Sequence, residues 1–190
     1  QPLIVSASIA SAHALLAGQS ARVANIAGVA GHSVGEIAAA TIAGVFDADA
    51  AIKFVQVRGN QMAKAAALET TSMAAILGGD QSEVEAALAA LDLEPANYNG
   101  GGQIVAAGSA QGIEALRANP PAGTRIVPLQ VAGAFHTRYM KPAVAALSDY
   151  ANDVAVGDPA IKLWTNAGGK EVASGTEYLK LLVNQVSSPV

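Results

Sequence analysis

Residues 31–35, with the sequence GHSVG, constrain the fold of this chain more than any other stretch. They have the G-x-S-x-G pattern of a nucleophile elbow, in which a serine stands on a sharp turn between a strand and a helix. The run Val23–Val29 before the turn is short and apolar and predicts a buried strand. The run Val34–Ala43 after it is rich in Ala and Ile and predicts a helix. The pattern therefore predicts a strained turn at Ser33, with small residues required two positions before and after it.

The predicted turn gives Ser33 the setting of a nucleophile. Its position at the N-terminus of a helix leaves the Val34 N–H free to donate a hydrogen bond to an oxyanion. Glu36 falls in the first helical turn, where a negative charge is favoured. The alternative is a plain Gly-Ser turn without chemistry, because Gly, Ser and Ala are common in this chain.

Arg58 is a second candidate site residue, on a predicted helix that Asp47 or Asp49 can cap and that extends to about Ala67. It lies at the edge of the apolar stripe of that helix, and no acidic residue lies three or four positions away. An arginine turned inward needs a carboxylate from elsewhere, because a buried unpaired charge is costly. Three alternatives are open: an ion pair with a distant Asp or Glu, a head group that reaches water, or a carboxylate that arrives with a ligand and binds through two parallel hydrogen bonds.

Residues 71–130 predict a small α/β insert. Its predicted elements are strand Met73–Leu77, helix Ser82–Ala90 with a capping box at its start, strands Pro95–Tyr98 and Ile104–Ala107, helix Ala110–Ala118 and strand Arg125–Leu129. The order β-α-β-β-α-β is that of the ferredoxin-like split βαβ fold. The elements predicted outside the insert and the elbow are helix Pro2–Ala17 ended by Gly18, helix Tyr139–Asn152, strand Lys162–Thr165 followed by a turn at 166–169, and helix Glu177–Val186.

His136 is the best candidate in this chain for a base that takes the Ser33 proton. The chain has three histidines. His32 adjoins Ser33, but neighbouring side chains in a tight turn point apart, and His13 falls on the predicted first helix. From the sequence alone, a structural role for His136 stays an open alternative.

Composition narrows the remaining classes of protein. Hydrophobic residues make up 52% of the 190 residues and charged residues 14%, which indicates a globular chain with a large buried core. The net charge of −4 argues against nucleic acid as a partner. The absence of cysteine excludes disulfides and thiolate metal sites, and no other metal-ligand spacing occurs. No apolar run is long enough to cross a membrane, so we expect a cytoplasmic protein.

Five motifs in chain order resemble the malonyl-CoA:acyl carrier protein transacylases, which are acyltransferases of fatty-acid and polyketide synthesis. The motifs are GHSVGE at 31–36, RGNQM at 58–62, NYN at 97–99 with GQIV at 102–105, GAFH at 133–136, and QVSSPV at 185–190. Members of this family begin with a strand that ends in a G-Q-G-S-Q loop, whose glutamine backbone supplies a second oxyanion donor. They also continue with sheet and helix beyond the last motif. We therefore expect this chain to be an internal piece of a longer protein.

The resemblance implies a transferase of lipid metabolism. It would move a malonyl group from malonyl-CoA to the phosphopantetheine thiol of acyl carrier protein, through a malonyl-serine intermediate, in fatty-acid biosynthesis. It implies Ser33 as the nucleophile, His136 as the base, and Arg58 as the residue that binds the malonyl carboxylate. The Phe135 ring would leave no room for a branched methylmalonyl group, and the main-chain carbonyl of Gln185 would orient the histidine. The implied substrate-binding residues together are Val34, Arg58, Met62, Asn97, Phe135 and Gln185.

The resemblance also implies an α/β-hydrolase-like core with a parallel sheet, formed by residues 1–70 and 131–190 around the ferredoxin-like insert at 71–130. The CoA thioester is the substrate, and no cofactor or metal is expected. The expected partners are malonyl-CoA and acyl carrier protein, without nucleic acid or membrane, and the expected oligomeric state is a monomer. Asn97 as a turn former and Phe135 as an ordinary core residue stay open as alternatives.

Two other functions remain open. A serine esterase or thioesterase of the α/β-hydrolase type needs an Asp or Glu between its serine and its histidine in chain order. Asp80 and Asp92 lie between Ser33 and His136, but both fall in the predicted insert. Such an enzyme would hydrolyse its acyl-serine without an acceptor thiol. The other alternative is a non-catalytic acyl-carrier docking segment of a larger synthase, in which Ser33 would not react with a serine-directed probe.

Overall fold

The computed structural model of the protein describes residues 1–17 and 25–190, which contain both helices and strands. The described helices are α1 (Pro2–Leu16), α2 (Gly35–Ala43), α3 (Ala48–Ala66), α4 (Gln81–Ala90), α5 (Ala110–Ala118), α6 (Lys141–Ala151) and α7 (Gly175–Gln185). The strands are β1 (Thr71–Gly78), β2 (Glu94–Gly100), β3 (Gln103–Ser109) and β4 (Thr124–Leu129), and a short 3₁₀ helix spans Arg138–Met140. The predicted mixed α/β class is therefore confirmed.

The chain divides into two units, each made of two stretches. The first unit consists of Gln1–Asn60 and Ala145–Gln185, and the second of Gln61–Val144 and Val186–Val190. The second unit contains all of residues 71–130 and extends beyond them at both ends.

A four-stranded antiparallel sheet with the strand order β2-β3-β1-β4 forms the centre of the second unit. Its chain order, β1-α4-β2-β3-α5-β4, is the β-α-β-β-α-β order predicted from the sequence. Successive residues of a strand face opposite sides of a sheet. One face accordingly packs against α4 and α5 through a cluster that includes Ile76, Leu88 and Leu116, and the other face carries a cluster around Met73 and Val105.

Helix α4 begins at Gln81 because Asp80, and not Ser82, is its N-cap. The Asp80 carboxylate accepts hydrogen bonds from the backbone N–H groups of Ser82 at 2.9 Å and Glu83 at 3.1 Å. The Ser82 hydroxyl and these two N–H groups lower the pKa of the Asp80 carboxyl, since they stabilise its charged form. The capping box predicted at Ser82 is therefore wrong: a charged acceptor two residues earlier takes its place.

Apolar helix faces form the interior of the first unit. α1 packs against α2, and the Phe54 ring of α3 lies 6.3 Å from the Phe46 ring and 6.4 Å from the Tyr150 ring, measured between centroids. α1 matches the predicted helix Pro2–Ala17, and the predicted stop at Gly18 lies outside the described residues. None of the described helices combines the length and the hydropathy that a membrane-spanning helix needs.

Of the two strands predicted for the first unit, Val23–Val29 and Lys162–Thr165, the described residues keep two isolated bridges, a parallel one between Val29 and Leu163 and an antiparallel one between Trp164 and Glu171. Residues 23 and 24 lie outside the described part. The prediction of two strands is wrong for the rest, because a strand needs several successive paired residues. An apolar pattern in the sequence does not indicate whether a second strand lies beside the segment and pairs with it.

The parallel bridge still sets the geometry of the site. The Val29 N–H donates to the Lys162 carbonyl at 2.8 Å, and the Trp164 N–H donates to the Val29 carbonyl at 3.1 Å. Because the two segments run in the same direction, the turns that follow them meet at the same edge. These turns are the elbow at 31–35 and the turn at 166–169, which is confirmed as predicted.

Candidate active site

Ser33 stands on a strained turn, as the G-x-S-x-G pattern predicts. Its φ is 53°, in the left-handed region that a residue with a Cβ rarely adopts. A Cβ on Gly31 would lie 2.1 Å from the carbonyl carbon and oxygen of Gly35, so position 31 requires glycine. A Cβ on Gly35 would meet no atom of the described residues within 4 Å. The expected need for a small residue is therefore confirmed at position 31, and at position 35 it stays a prediction.

The helix that follows the turn begins where the sequence predicts. Val34 is the N-cap of α2, with φ −58° and ψ −23°, and its side chain is half-buried. The Gly35 N–H donates to the His32 carbonyl at 2.9 Å, and the Glu36 N–H donates to the Ser33 carbonyl at 3.1 Å. His32 itself is exposed. The role of the Val34 N–H as an oxyanion donor stays a prediction.

Asn166 spans the elbow with both polar atoms of its side chain. Its Oδ1 accepts a hydrogen bond from the Ser33 N–H at 2.7 Å, and its Nδ2 donates to the Gly31 carbonyl at 2.8 Å. Asn166 lies 133 positions from Ser33 in the sequence. No local pattern predicts such a contact, and the sequence indicated only a turn at this position.

The Glu36 carboxylate is buried behind the elbow, with 1% of the residue exposed. Its Oε1 accepts the Asn166 N–H at 2.8 Å and lies 3.3 Å from the Tyr178 hydroxyl, and its Oε2 accepts from the Gln185 side-chain amide. The sequence predicted only a favourable charge in the first helical turn. The sequence signal for this larger role was a glutamate in the first turn of a helix in which Thr41 is the only other polar residue.

Tyr178 on α7 shares this buried environment. Burial first, and then the negative charge of Glu36, raise the pKa of the Tyr178 hydroxyl well above its ordinary value, because both disfavour a phenolate. The hydroxyl therefore stays protonated and available as a donor to Glu36.

Arg58 on α3 is buried and lies beside the serine, with 2% of the residue exposed. Its Nη2 donates to the Gln185 Oε1 at 2.8 Å and lies 3.4 Å from the Ser33 hydroxyl oxygen, while its Nη1 donates to the Gln1 Oε1. Within residues 1–17 and 25–190, no ion pair joins Arg58 to a carboxylate. Two of the three alternatives from the sequence, an ion pair with a distant acid and a head group in water, are therefore not met in the described chain.

The electrostatics of Arg58 favour an anionic ligand. Burial lowers the pKa of Arg58 to about 10, and the nearby charge of Glu36 acts in the opposite direction. The guanidinium is still protonated at neutral pH, but it is held by neutral amide oxygens. A carboxylate brought next to it would supply the charge-assisted, two-point contact that the amides do not provide.

The Gln185 side chain joins the parts of this cluster. Its Oε1 accepts from Arg58, and its Nε2 donates to the Ser33 carbonyl at 2.9 Å and to the Glu36 carboxylate. The predicted role of Gln185 concerns its main-chain carbonyl, and that role stays a prediction. Its side chain has a separate role, which the sequence did not indicate: it brings α7 to the elbow.

His136 belongs to the second unit, where the backbone holds it in an unusual conformation. Its φ is 61°, it is 5% exposed, and its N–H donates to the Val186 carbonyl at 3.0 Å. The loop before it is tied by the Ala134 N–H, which donates to the Thr71 hydroxyl oxygen at 2.9 Å. Left-handed non-glycine residues concentrate at functional sites, because only a well-supported loop keeps them. His136 as the base for Ser33 stays a prediction.

The other predicted site residues also lie in the second unit. Phe135 is half-buried and packs against the sheet face that carries Met73. Met62 is buried on α3, and Asn97 is half-buried on β2, at an irregularity in its pairing with β3. Their roles in substrate binding stay predictions.

Asp80 and Asp92, the two acids considered above for a hydrolase triad, are engaged in other contacts. Asp80 caps α4, and Asp92 forms an ion pair with Arg138 at 2.5 Å. Glu94 pairs with the same arginine at 2.6 Å. These contacts favour a site that works without a carboxylate from this insert.

The whole chain, residues 1–190, matches the model of the acyl transferase domain family. The chain is 49% identical over 190 residues to the malonyl CoA-acyl carrier protein transacylase of Mycolicibacterium smegmatis, covering 100% of this chain and 65% of that protein. The chain thus spans slightly less than two thirds of the length of this curated relative.

The chain is also similar to solved structures. The crystal structure of MCAT from Mycobacterium tuberculosis has a TM-score of 0.95 and 48% identity, over 100% of this chain and 63% of that chain. A type II PKS acyl-carrier protein in complex with its malonyl-transacylase has a TM-score of 0.87 and 30% identity, over 100% of this chain and 62% of that chain.

The unequal space at the two elbow glycines predicts unequal effects of alanine. Gly31→Ala forces a methyl group into the Gly35 backbone and should lower the free energy of unfolding by about 1–3 kcal/mol. In Gly35→Ala the added methyl group, at the start of a helix, contacts none of the residues that the structure describes, so stability should stay unchanged or rise by about 0.5–1 kcal/mol. Urea unfolding of both variants measures the difference, and an equal loss in both would contradict the crowding at position 31.

The hydrogen bond from Tyr178 to Glu36 predicts a pH dependence. In the unfolded chain a tyrosine loses its proton near pH 10, whereas the raised pKa of Tyr178 keeps the folded state protonated. Since the folded state then holds more protons, its stability falls as the pH rises above about 10. The Tyr178→Phe variant lacks this effect, so the stability advantage of the native protein over it should shrink between about pH 9 and pH 11.

Urea unfolding across that pH range tests the expectation. Tyr150→Phe is the matched control, because it removes a tyrosine hydroxyl in the same unit without touching Glu36. An advantage of the native protein over Tyr178→Phe that stays constant or widens with pH would show that Tyr178 is not held protonated by its surroundings.

Proposed function

The chain belongs to the acyl transferase domain family, and we propose that the protein containing it transfers a malonyl group from malonyl-CoA to the phosphopantetheine thiol of acyl carrier protein. The names of its relatives support this proposal, since both a curated relative and a solved structure are malonyl transacylases. The activity is proposed for the whole protein, because the chain spans 65% of that relative. The proposed role is in fatty-acid biosynthesis.

The observation that carries the choice of substrate is the environment of Arg58. A buried guanidinium lies 3.4 Å from the Ser33 hydroxyl oxygen and is held by glutamine side chains, with no ion pair to a carboxylate among the described residues. An acyl group bound to Ser33 that ends in a carboxylate would bring the missing counter-charge to it. Malonyl has such a carboxylate, and acetyl does not.

The proposed reaction is a two-step acyl transfer. His136 takes the proton from Ser33, and the Ser33 oxygen forms a bond to the thioester carbonyl carbon of malonyl-CoA. The Val34 N–H donates to the oxyanion that forms. The carbon–sulfur bond then breaks, and CoA leaves with the proton from His136. In the second step the carrier thiol gives its proton to His136, and its sulfur forms a bond to the carbonyl carbon of the malonyl-serine. The bond from that carbon to the Ser33 oxygen then breaks, and His136 returns the proton to the Ser33 oxygen.

The remaining substrate contacts are proposed from the family resemblance. Met62, Asn97 and Phe135 would shape the malonyl pocket, with Phe135 excluding a branched acyl group, and the Gln185 main chain would orient the base. The reaction uses the serine itself as the covalent carrier, so we propose the CoA thioester as a substrate and no further cofactor. An acyl carrier protein as partner is supported by the similar malonyl-transacylase that is solved in complex with one.

The finer points of architecture and setting are proposals as well. The strained elbow and the parallel bridge between Val29 and Leu163 support an α/β-hydrolase-like core formed by residues 1–70 and 131–190 around the insert at 71–130. For the whole protein we propose a monomer in the cytoplasm that acts on malonyl-CoA and acyl carrier protein, without nucleic acid or membrane as partners.

Replacing the arginine should change the acyl preference of the protein. Arg58→Ala removes the group that would bind the malonyl carboxylate, so malonyl transfer should fall by about 100-fold or more in kcat/KM, as expected for a lost charge-assisted contact. Acetyl transfer, which does not use that contact, should be retained or increase. Parallel assays of the whole protein with malonyl-CoA and acetyl-CoA, using acyl carrier protein as acceptor, measure the ratio.

Arg117→Ala is the matched control, because Arg117 pairs with Glu114 on the exposed surface of α5. It should leave both transfers unchanged. If Arg58→Ala lowered malonyl and acetyl transfer to the same extent, the assignment of malonyl as the substrate would be wrong.

A further inference from the structure

We propose that Asn166 is a positioning residue that sets the reactivity of the Ser33 nucleophile by holding both sides of the elbow. The inference rests on the proposed role of Ser33 as a nucleophile, but not on the identity of the acyl group. No motif of the sequence pointed to Asn166, which follows the parallel bridge in the turn at 166–169.

The first support is the geometry of its two hydrogen bonds. The Asn166 Nδ2 donates to the carbonyl of Gly31, two residues before the serine, and its Oδ1 accepts the N–H of Ser33 itself. One rigid, planar amide therefore sets the separation of the two sides of the turn. Ser33 has a φ of 53°, which is kept only where the surroundings over-determine it.

The second support is that Asn166 is itself held in place. Its backbone N–H donates to the buried Glu36 carboxylate at 2.8 Å, and Thr165 before it is buried. The Ala167 N–H after it donates to the Thr165 hydroxyl oxygen at 3.2 Å. The backbone of Asn166 is thus held by hydrogen bonds, so its side-chain amide keeps a fixed position next to the elbow.

A chemical consequence follows for the oxyanion. The Ser33 N–H donates to Asn166 at 2.7 Å, so it is already used and cannot serve as an oxyanion donor. The next N–H along the chain, that of Val34, is left as the donor on the elbow, and its direction depends on the φ and ψ of Ser33. Loss of the Asn166 contacts should therefore disturb both the position of the serine oxygen and the direction of this donor.

The test measures Ser33 reactivity directly in the whole protein. A fluorophosphonate probe reacts with the serine, forming an oxygen–phosphorus bond and releasing fluoride and the serine proton, and intact mass gives the labelling rate. Asn166→Ala removes both hydrogen bonds and should slow labelling by about 10- to 100-fold, the effect expected from a misplaced reacting atom. Asn166→Asp keeps an acceptor for the Ser33 N–H and should fall between the native protein and Asn166→Ala.

Steady-state kinetics and thermal unfolding separate positioning from a structural role. With malonyl-CoA, Asn166→Ala should lower kcat while KM changes by no more than about two-fold, because Arg58 is untouched. A merely structural role would lower the unfolding temperature and leave the labelling rate of the folded protein unchanged. Asn152→Ala, an exposed asparagine beyond α6, is the matched control and should not change labelling.

The outcomes are distinct. If the folded Asn166→Ala variant labelled at the native rate, the inference would be overturned. If the alanine variant does not fold, labelling of Asn166→Asp at the native rate would overturn it instead. A native protein that labels at Ser33 with the expected Asn166 dependence, but that transfers no malonyl group, would support the inference and contradict the proposed substrate. A native protein that does not label at Ser33 would contradict both.

Discussion

The buried carboxylate of Glu36 is the constraint on which the rest of the site depends. A charge with 1% of its residue exposed is tolerated only when hydrogen-bond donors surround it. Its donors are the Asn166 N–H, the Tyr178 hydroxyl and the Gln185 amide, from a distant turn and two positions on α7. Satisfying this one group on α2 therefore fixes where α7 and the 166–169 turn lie relative to the elbow.

The strain at Ser33 follows from the same arrangement. A non-glycine residue at φ 53° costs on the order of 1–3 kcal/mol, and each hydrogen bond that holds the elbow contributes about 0.5–1.5 kcal/mol. The contacts from Asn166 and from the Gln185 amide are together of a size to offset that cost. Gln185 also binds Arg58, so the residues that support the turn hold the guanidinium beside the serine as well.

Short sequence patterns predicted those features of this protein that depend on residues close together in the sequence. The alternating apolar residues of 71–129 gave the elements of the insert, and the elbow motif gave the strained Ser33 and the crowded Gly31. Arg58 was identified as a candidate site residue because no acidic residue lies three or four positions from it in the sequence. The roles of Glu36, Asn166 and the Gln185 side chain were missed, because the contacts that define these roles join residues 127 to 152 positions apart. The strands predicted around Val29 and Leu163 failed for a related reason, since pairing depends on a distant segment. The pairing of His136 with Ser33 stays a prediction from family resemblance.

The most direct test is intact mass spectrometry of the whole protein after mixing with malonyl-CoA, for the native protein and for Ser33→Ala. The prediction is a malonyl adduct on the native protein, with release of CoA, and no adduct on the variant. A native protein that neither carries the adduct nor releases CoA faster than Ser33→Ala would contradict Ser33 as an acyl-accepting nucleophile.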